Sequence, residues 1–128
     1  MGDLLQRGSD WLAKQRHEHL TRPVTYRRAE QSIEVQATVG RTVFRFDDSY
    51  GAVIRHVSRD YLIRADDLVI DGGTVTPKRG DRIEEVIGDS IITHEVMGPG
   101  RNEPDWRYSD PQRKTLRIHT KQIGADTP

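Results

Sequence analysis

From Val24 onward apolar and polar residues alternate with a period of two. Val24 and Tyr26 come first, then Ile33, Val35, Ala37 and Val39 interleave with Ser32, Glu34, Gln36 and Thr38. Successive side chains of a strand point to opposite faces, so this run describes a half-buried antiparallel strand. The pattern recurs. Thr42 to Phe46 places Phe44 and Phe46 on one face, and Val53 to Val57 resumes after the polar tip Asp47-Asp48-Ser49-Tyr50-Gly51, which predicts a long, exposed hairpin. Tyr61, Ile63 and Ala65 alternate again, Leu68 to Ile70 form a short apolar run, and Asp71-Gly72-Gly73 supplies a reversal tolerant of positive φ. Ile83 to Ile87, a turn at Gly88-Asp89-Ser90, and Ile91 to Met97 read as a second hairpin. Gly98 to Pro104 is then a loop before Trp106-Arg107-Tyr108-Ser109-Asp110-Pro111 and the strand Thr115 to Thr120.

Strands this short, with turn signals about every ten residues, predict a mainly β fold: a small antiparallel β-barrel or sandwich. Only the beginning of the chain has helical spacing. Leu4, Leu5, Gly8, Trp11, Leu12 and Gln15 form one stripe of an N-terminal α-helix over about Asp3 to His19, ended by Arg22-Pro23, with Trp11 docking it on the sheet. At 128 residues the chain suits a single domain, 1–128. Within it the expected order is a helix in 1–22, a β-barrel in 23–122 and a flexible tail in 123–128.

Hydrophobic residues make up 34% of the chain and charged residues 31%, which leaves little apolar material per residue. A small core with polar loops that order against other subunits reconciles this with the β-periodicity, so an oligomer or partner-dependent fold is expected. Twenty basic and twenty acidic side chains cancel, so no global field draws the chain to nucleic acid or an anionic membrane. Local bias survives: six Lys/Arg against three Asp/Glu in residues 1–28, and five basic residues against Asp110 alone from Arg107 to Lys121. The absence of cysteine removes disulfides, thiol catalysis and cysteine-based zinc sites. No signal-peptide-like or membrane-spanning run occurs, so a soluble, unexported protein is expected.

Catalytic constellations are thin. His17 and His19 lie two apart near a helix end and point to different faces, which suits charge at a helix C-terminus better than chelation. Asp47-Asp48 and Asp66-Asp67 are adjacent acids whose side chains diverge, and His94-Glu95 and His119 read as cross-strand partners. No phosphate loop, serine elbow or HExxH motif is present. No catalytic residue, metal site or cofactor is therefore assigned. The corner Pro77-Lys78-Arg79-Gly80-Asp81-Arg82-Ile83 reads as a turn that tips Asp81 and Arg82 outward where a strand begins.

That corner, Tyr61-Leu62-Ile63-Arg64-Ala65-Asp66-Asp67-Leu68 before it and Trp106-Arg107-Tyr108-Ser109-Asp110-Pro111 after it resemble, in that order, small tailed-phage head-tail joining proteins, also called head completion, head closure or stopper proteins. The similarity spans roughly Leu4 to Gln122. It implies a non-enzymatic β-barrel subunit, a monomer in solution that forms a ring under the portal and adaptor proteins. Such a ring retains packaged DNA, with non-specific DNA contact, and meets tail terminator or tail tube proteins. The implied location is the virion neck, reached from the host cytoplasm during assembly, without membrane contact. Exposure patterns assign interface roles to Asp47, Asp48, Tyr50, Trp106, Arg107 and Tyr108, and structural roles to Trp11, Gly80, Asp81 and Asp110.

A second reading is a small β-barrel nucleic-acid-binding protein using the basic end segments, because Tyr26-Arg27-Arg28 and Trp106-Arg107-Tyr108 mix aromatic and basic residues. A small hydrolase or sugar-binding enzyme would need convergent carboxylates and histidines. If Trp11 anchors the helix in the core, Trp11→Ala lowers unfolding free energy by about 3–5 kcal/mol in denaturant titration.

Overall fold

A computed structural model describes residues 21–100 and 102–126. The nine strands found there are β1 (Arg22–Arg28), β2 (Gln31–Asp47), β3 (Val53–Arg64), β4 (Val69–Ile70), β5 (Gly73–Thr74), β6 (Arg82–Ile87), β7 (Ser90–Val96), β8 (Trp106–Tyr108) and β9 (Thr115–Asp126). Among the described residues one 3-10 turn, Ala65–Asp67, follows β3. The mainly β expectation therefore holds, while the N-terminal helix and Trp11 lie outside the described residues. No helix among the described residues is long and apolar enough to cross a membrane.

Seven strands form one antiparallel sheet in the order β3-β2-β1-β6-β7-β9-β8, and β9 also pairs with β3. The ladders β1–β2–β3–β9–β7–β6 thus return to β1. Inside this closed cycle lie Val24, Tyr26, Val35, Ala37, Tyr61, Ile63, Ile83, Val96, Leu116 and Ile118, all buried, as the period-two pattern requires. Leu68 and Ile70, from the β3–β4 connection and β4, complete the core, and Trp106 and Tyr108 pack against it.

Two strands are much longer than the sequence suggests. Val39 and Thr42 belong to one continuous β2 of 17 residues, joined to β3 by a ladder that runs from Ala37↔Ile63 to Asp47↔Val53. Gly40 lies inside that strand, close to its neighbours. A Cβ at this position would lie 3.2 Å from Leu62 Cδ1 and 3.5 Å from the Arg117 guanidinium, so a side chain would crowd the opposite strand. The pairing of β2 with β1 stops at Ala37, and that of β3 with β9 stops at Arg59. Beyond those points the two strands continue together as a ribbon without further ladder partners among the described residues.

Three expectations need correction. Arg22-Pro23 opens β1 and pairs with Ala37 and Gln36 instead of only closing a helix. The anticipated tail is strand through Asp126: Ile91↔Asp126, Ile92↔Ala125 and Thr93↔Gly124 extend the β7–β9 ladder past a register shift at Thr93/His94, so backbone hydrogen bonding orders residues that composition made look frayed. Asp81, expected to tip outward, is buried.

The inward turn of Asp81 has a clear cause. Gly80 adopts φ +97°, a left-handed conformation that favours glycine, and its N–H donates to the Val96 carbonyl at 3.1 Å. The next residue is thereby directed at β1, where its carboxylate accepts from the Tyr26 hydroxyl, from Arg28 Nη2 at 2.9 Å and from the Lys78 N–H at 3.0 Å. Burial, then the hydrogen bond to Asp81 and the charge of that carboxylate, raises the Tyr26 hydroxyl well above the usual phenol range. Asp81→Ala would leave a buried hydroxyl and a guanidinium without their acceptor, and should cost about 3–5 kcal/mol in denaturant unfolding. Asp110→Ala, which loses acceptors only at a partly exposed turn, should cost about 1 kcal/mol in the same measurement.

Candidate functional site

Two polar clusters flank β3, one on each face of its pleat. On the inner face, at the end of the core from which the ribbon leaves, the Tyr61 hydroxyl donates to Glu85 Oε1 at 2.8 Å and lies 3.0 Å from His94 Nδ1. Arg59 donates to the same hydroxyl at 3.1 Å and to Glu85 at 2.9 Å. Arg22 takes the other carboxylate oxygen at 2.8 Å. The tautomer that satisfies every group has His94 protonated at Nδ1 and donating to Tyr61.

Each titration follows from these contacts. Burial raises Glu85, but donors from Arg59, Tyr61 and Arg22 outweigh it and hold the carboxyl below its ordinary range. Burial raises the Tyr61 hydroxyl; the hydrogen bond from Arg59 opposes it, and the hydrogen bond to Glu85 and that carboxylate's charge add to it. Burial and then the Arg59 charge push His94 down to about 4, against the opposing pull of Glu85.

The outer cluster centres on Asp60, which has no exposed surface. Its carboxylate accepts from Thr42, from Ser58 Oγ at 2.6 Å, from Arg117 Nη1 at 2.7 Å and from His119 Nδ1 at 2.9 Å. Burial works to raise this carboxyl; the bonds from His119, Ser58, Thr42 and Arg117 together outweigh it and hold it at about 2. Phe44 covers the cluster, edge-on to His119 with ring centroids 5.1 Å apart, and stacks on Phe46.

Ser58, His119 and Asp60 have the residue types of a hydrolytic triad but the wrong connectivity. A relay needs serine and aspartate on opposite ring nitrogens. Here the same nitrogen, Nδ1, faces Asp60 at 2.9 Å and Ser58 at 3.4 Å, and Ser58 bonds the carboxylate directly. The arrangement can store a buried charge and tie β2, β3 and β9 together, but it has no route for passing a serine proton through the ring. Among the described residues no group of three or more His, Cys, Asp or Glu is placed to hold a metal.

The residues assigned to an interface do not gather in one place. Asp48 organises the β2–β3 tip, its Oδ1 accepting from the N–H groups of Tyr50 at 2.8 Å and Ala52 at 2.7 Å. Asp47 is exposed, and Tyr50 projects with 95% of its surface accessible. Trp106 and Tyr108 are half-buried on β8, edge-to-face at 5.1 Å, whereas Arg107 between them is exposed. Because Trp106 pairs with Ile118 and Ile118 with Tyr61, the two groups are separated by the β3 segment from Tyr61 to Val53, about 26 Å at 3.3 Å per residue. Asp110 holds the β8–β9 turn, accepting from the N–H groups of Lys114 at 3.0 Å and Thr115 at 2.8 Å. Arg117, counted with the basic end segment, is committed to Asp60.

Sequence reasoning missed Asp60 and Glu85; it did read His94 and His119 as cross-strand partners, and the ladder sets His119 directly opposite Asp60. Glu85 shares the parity of the buried Ile83, a usable signal. Asp60 has the opposite parity from Tyr61, so only the cover on the second face of β3, invisible in one strand, explains its burial.

The pattern that defines the phage head-tail joining protein family matches residues 2–127. The chain belongs to that family. No curated protein matches it. Membership makes this a bacteriophage structural protein of the head-tail junction, in contact with other head and tail proteins. For such a protein the buried clusters act as braces, since they fix the root of the β2–β3 ribbon from both faces.

The inner brace makes stability depend on pH. The folded pKa of His94, about 4, lies below its ordinary 6.5, so the unfolded chain binds the proton first. The His94 contribution is complete above pH 6.5 and is lost as pH falls toward 4, on the order of 3 kcal/mol in all. Asp60 adds a separate loss below about pH 4. Denaturant titrations of wild type and His94→Gln between neutral and mildly acid pH should show a clear slope for the former and a nearly flat response for the latter.

Proposed function

We propose that the chain is a head-tail connector subunit of the stopper or head-completion type. In this reading it is a small β-barrel that assembles as a ring beneath the portal and adaptor proteins, retains packaged DNA and presents a surface to tail terminator or tail tube proteins. Family membership supplies the setting. The observation that carries the reading is the β2–β3 ribbon, held by an eleven-pair ladder from Ala37↔Ile63 to Asp47↔Val53 and continuing past the last ladder contacts of its neighbours. A two-stranded ribbon is marginal alone. This one is braced at its root by Asp60 and carries an ordered tip with Tyr50 fully presented, which suits a subunit whose product is geometry.

The closed cycle of ladders supports the barrel description. Low hydrophobicity and exposed apolar residues such as Ile54, Val86, Ile87 and Ile123 support completion of the surface by neighbouring subunits. In this proposal Asp47, Asp48 and Tyr50 form a lumen- or tail-facing contact and Arg107 a lateral one. Trp106 and Tyr108 contribute mainly by fixing β8. Assembly occurs in the host cytoplasm and the product resides in the virion neck.

Deleting the gene from its phage should give heads that lose DNA and fail to accept tails, with recovery on supply of the protein in trans. Stable, DNA-filled, tail-competent heads from the deletion phage would refute the connector role. Replacing Asp47 to Gly51 by a tight two-residue turn should leave the melting temperature within a few degrees of wild type, because it removes no core residue, and should abolish recovery in the complementation assay.

A further inference from the structure

We propose that one face of the β2–β3 ribbon is a sequence-independent seat for duplex DNA, with Arg41, Arg45 and Arg55 as its phosphate contacts. Register sets up this face. Arg41 stands opposite Arg59, Val43 opposite Val57 and Arg45 opposite Arg55, all on the side of the pleat that continues from the inward-facing Val39 and Tyr61. A shallow groove lined by Val39, Arg41, Val57 and Arg59 marks its inner end. Asp47, opposite Val53, closes the outer end.

Like charges placed directly opposite each other across a ladder destabilise it, and this ribbon does so twice within five residues. Arg59 has its compensation in Glu85. Among the described residues no carboxylate pairs with Arg41, Arg45 or Arg55, and all three are exposed. The opposite face has no such character: Thr42, Phe44 and Phe46 face Ser58, His56 and Ile54. The ribbon is therefore amphipathic in charge, with a self-repelling basic face that a polyanion would relieve.

Spacing favours duplex DNA over an acidic polypeptide. The two arginine rows lie four residues apart, about 13 Å along the strands, close to the roughly 12 Å width of the B-form major groove, which admits a two-stranded β-ribbon. Laid across the groove, each row meets one phosphate rim, and Val43 and Val57 sit over the opening without reaching the base edges. Contacts of this kind position without reading sequence. The choice of DNA as the polyanion rests on the connector reading; the basic face itself does not.

The test is fluorescence anisotropy of a labelled short duplex of arbitrary sequence with the full chain, over a salt series starting near 50 mM. Wild type should bind with an affinity that falls steeply with salt. Arg45→Gln/Arg55→Gln should bind at least ~10-fold more weakly at the lowest salt, with a log–log salt slope shallower by about 2, since each phosphate contact contributes roughly 0.9. Arg64→Gln/Arg82→Gln, which removes two exposed charges elsewhere, should match wild type. The ribbon variant should melt no lower than wild type, which separates lost binding from lost folding. Equal binding by wild type and the ribbon variant would overturn the proposal. So would no binding by wild type to DNA, or binding to poly-glutamate in its place. Complementation of the deletion phage is scored separately, so a chain that binds DNA through these arginines yet fails in complementation condemns the connector reading and leaves the seat standing.

Discussion

The pairing of β3 with β9, from Arg59↔Thr120 to Arg64↔Thr115, is the constraint on which the architecture rests. The β1–β2, β2–β3 and β6–β7 ladders are local hairpins that a short chain segment can form. The β3–β9 ladder joins residues more than fifty positions apart and converts those hairpins into a closed sheet. Its inward members, Tyr61 and Ile63 against Ile118 and Leu116, are fully or almost fully buried. Loop closure on this scale is entropically costly, and the apolar burial behind these four side chains is the main return on it.

Electrostatics follows the same plan. Three buried carboxylates, Asp60, Asp81 and Glu85, each receive several donors, at least one of them an arginine. No buried side-chain polar atom among the described residues lacks a partner. A chain with 31% of its residues charged has thus turned part of that charge into internal cross-links between strands distant in sequence. Arg22 and Arg59 reach Glu85 from β1 and β3, and Arg28 reaches Asp81 from β1. Breaking one partner leaves a stranded charge, so loss of either member costs stability.

Much of this was legible in the sequence. The inward set of β2 and the turns at Asp71-Gly72 and Gly88-Asp89 follow from alternation and from glycine or aspartate at positive φ. The hairpin tip at Asp47 to Gly51 was visible as a polar interruption. Three things were not. Continuity through Gly40 was hidden because glycine normally weakens a strand. The strand character of Ile123 to Asp126 depends on backbone pairing with β7, to which side-chain pattern is blind. The burial of Asp60 needs a second covered face on β3, a tertiary fact. The family resemblance carried by the Trp106 and Pro77 segments agreed with the family match, although those segments serve mostly to pack and turn.

The open margins of the β2–β3 ribbon carry a practical consequence. Unpaired strand margins invite stacking into unwanted fibrils, and a polypeptide with formal net charge zero at pH 7 has little overall repulsion to prevent it. The guanidinium rows supply a local guard, one that mobile ions weaken. Concentrated stocks should therefore keep better in dilute buffer than in brine, contrary to usual bench practice for a protein near its isoelectric point.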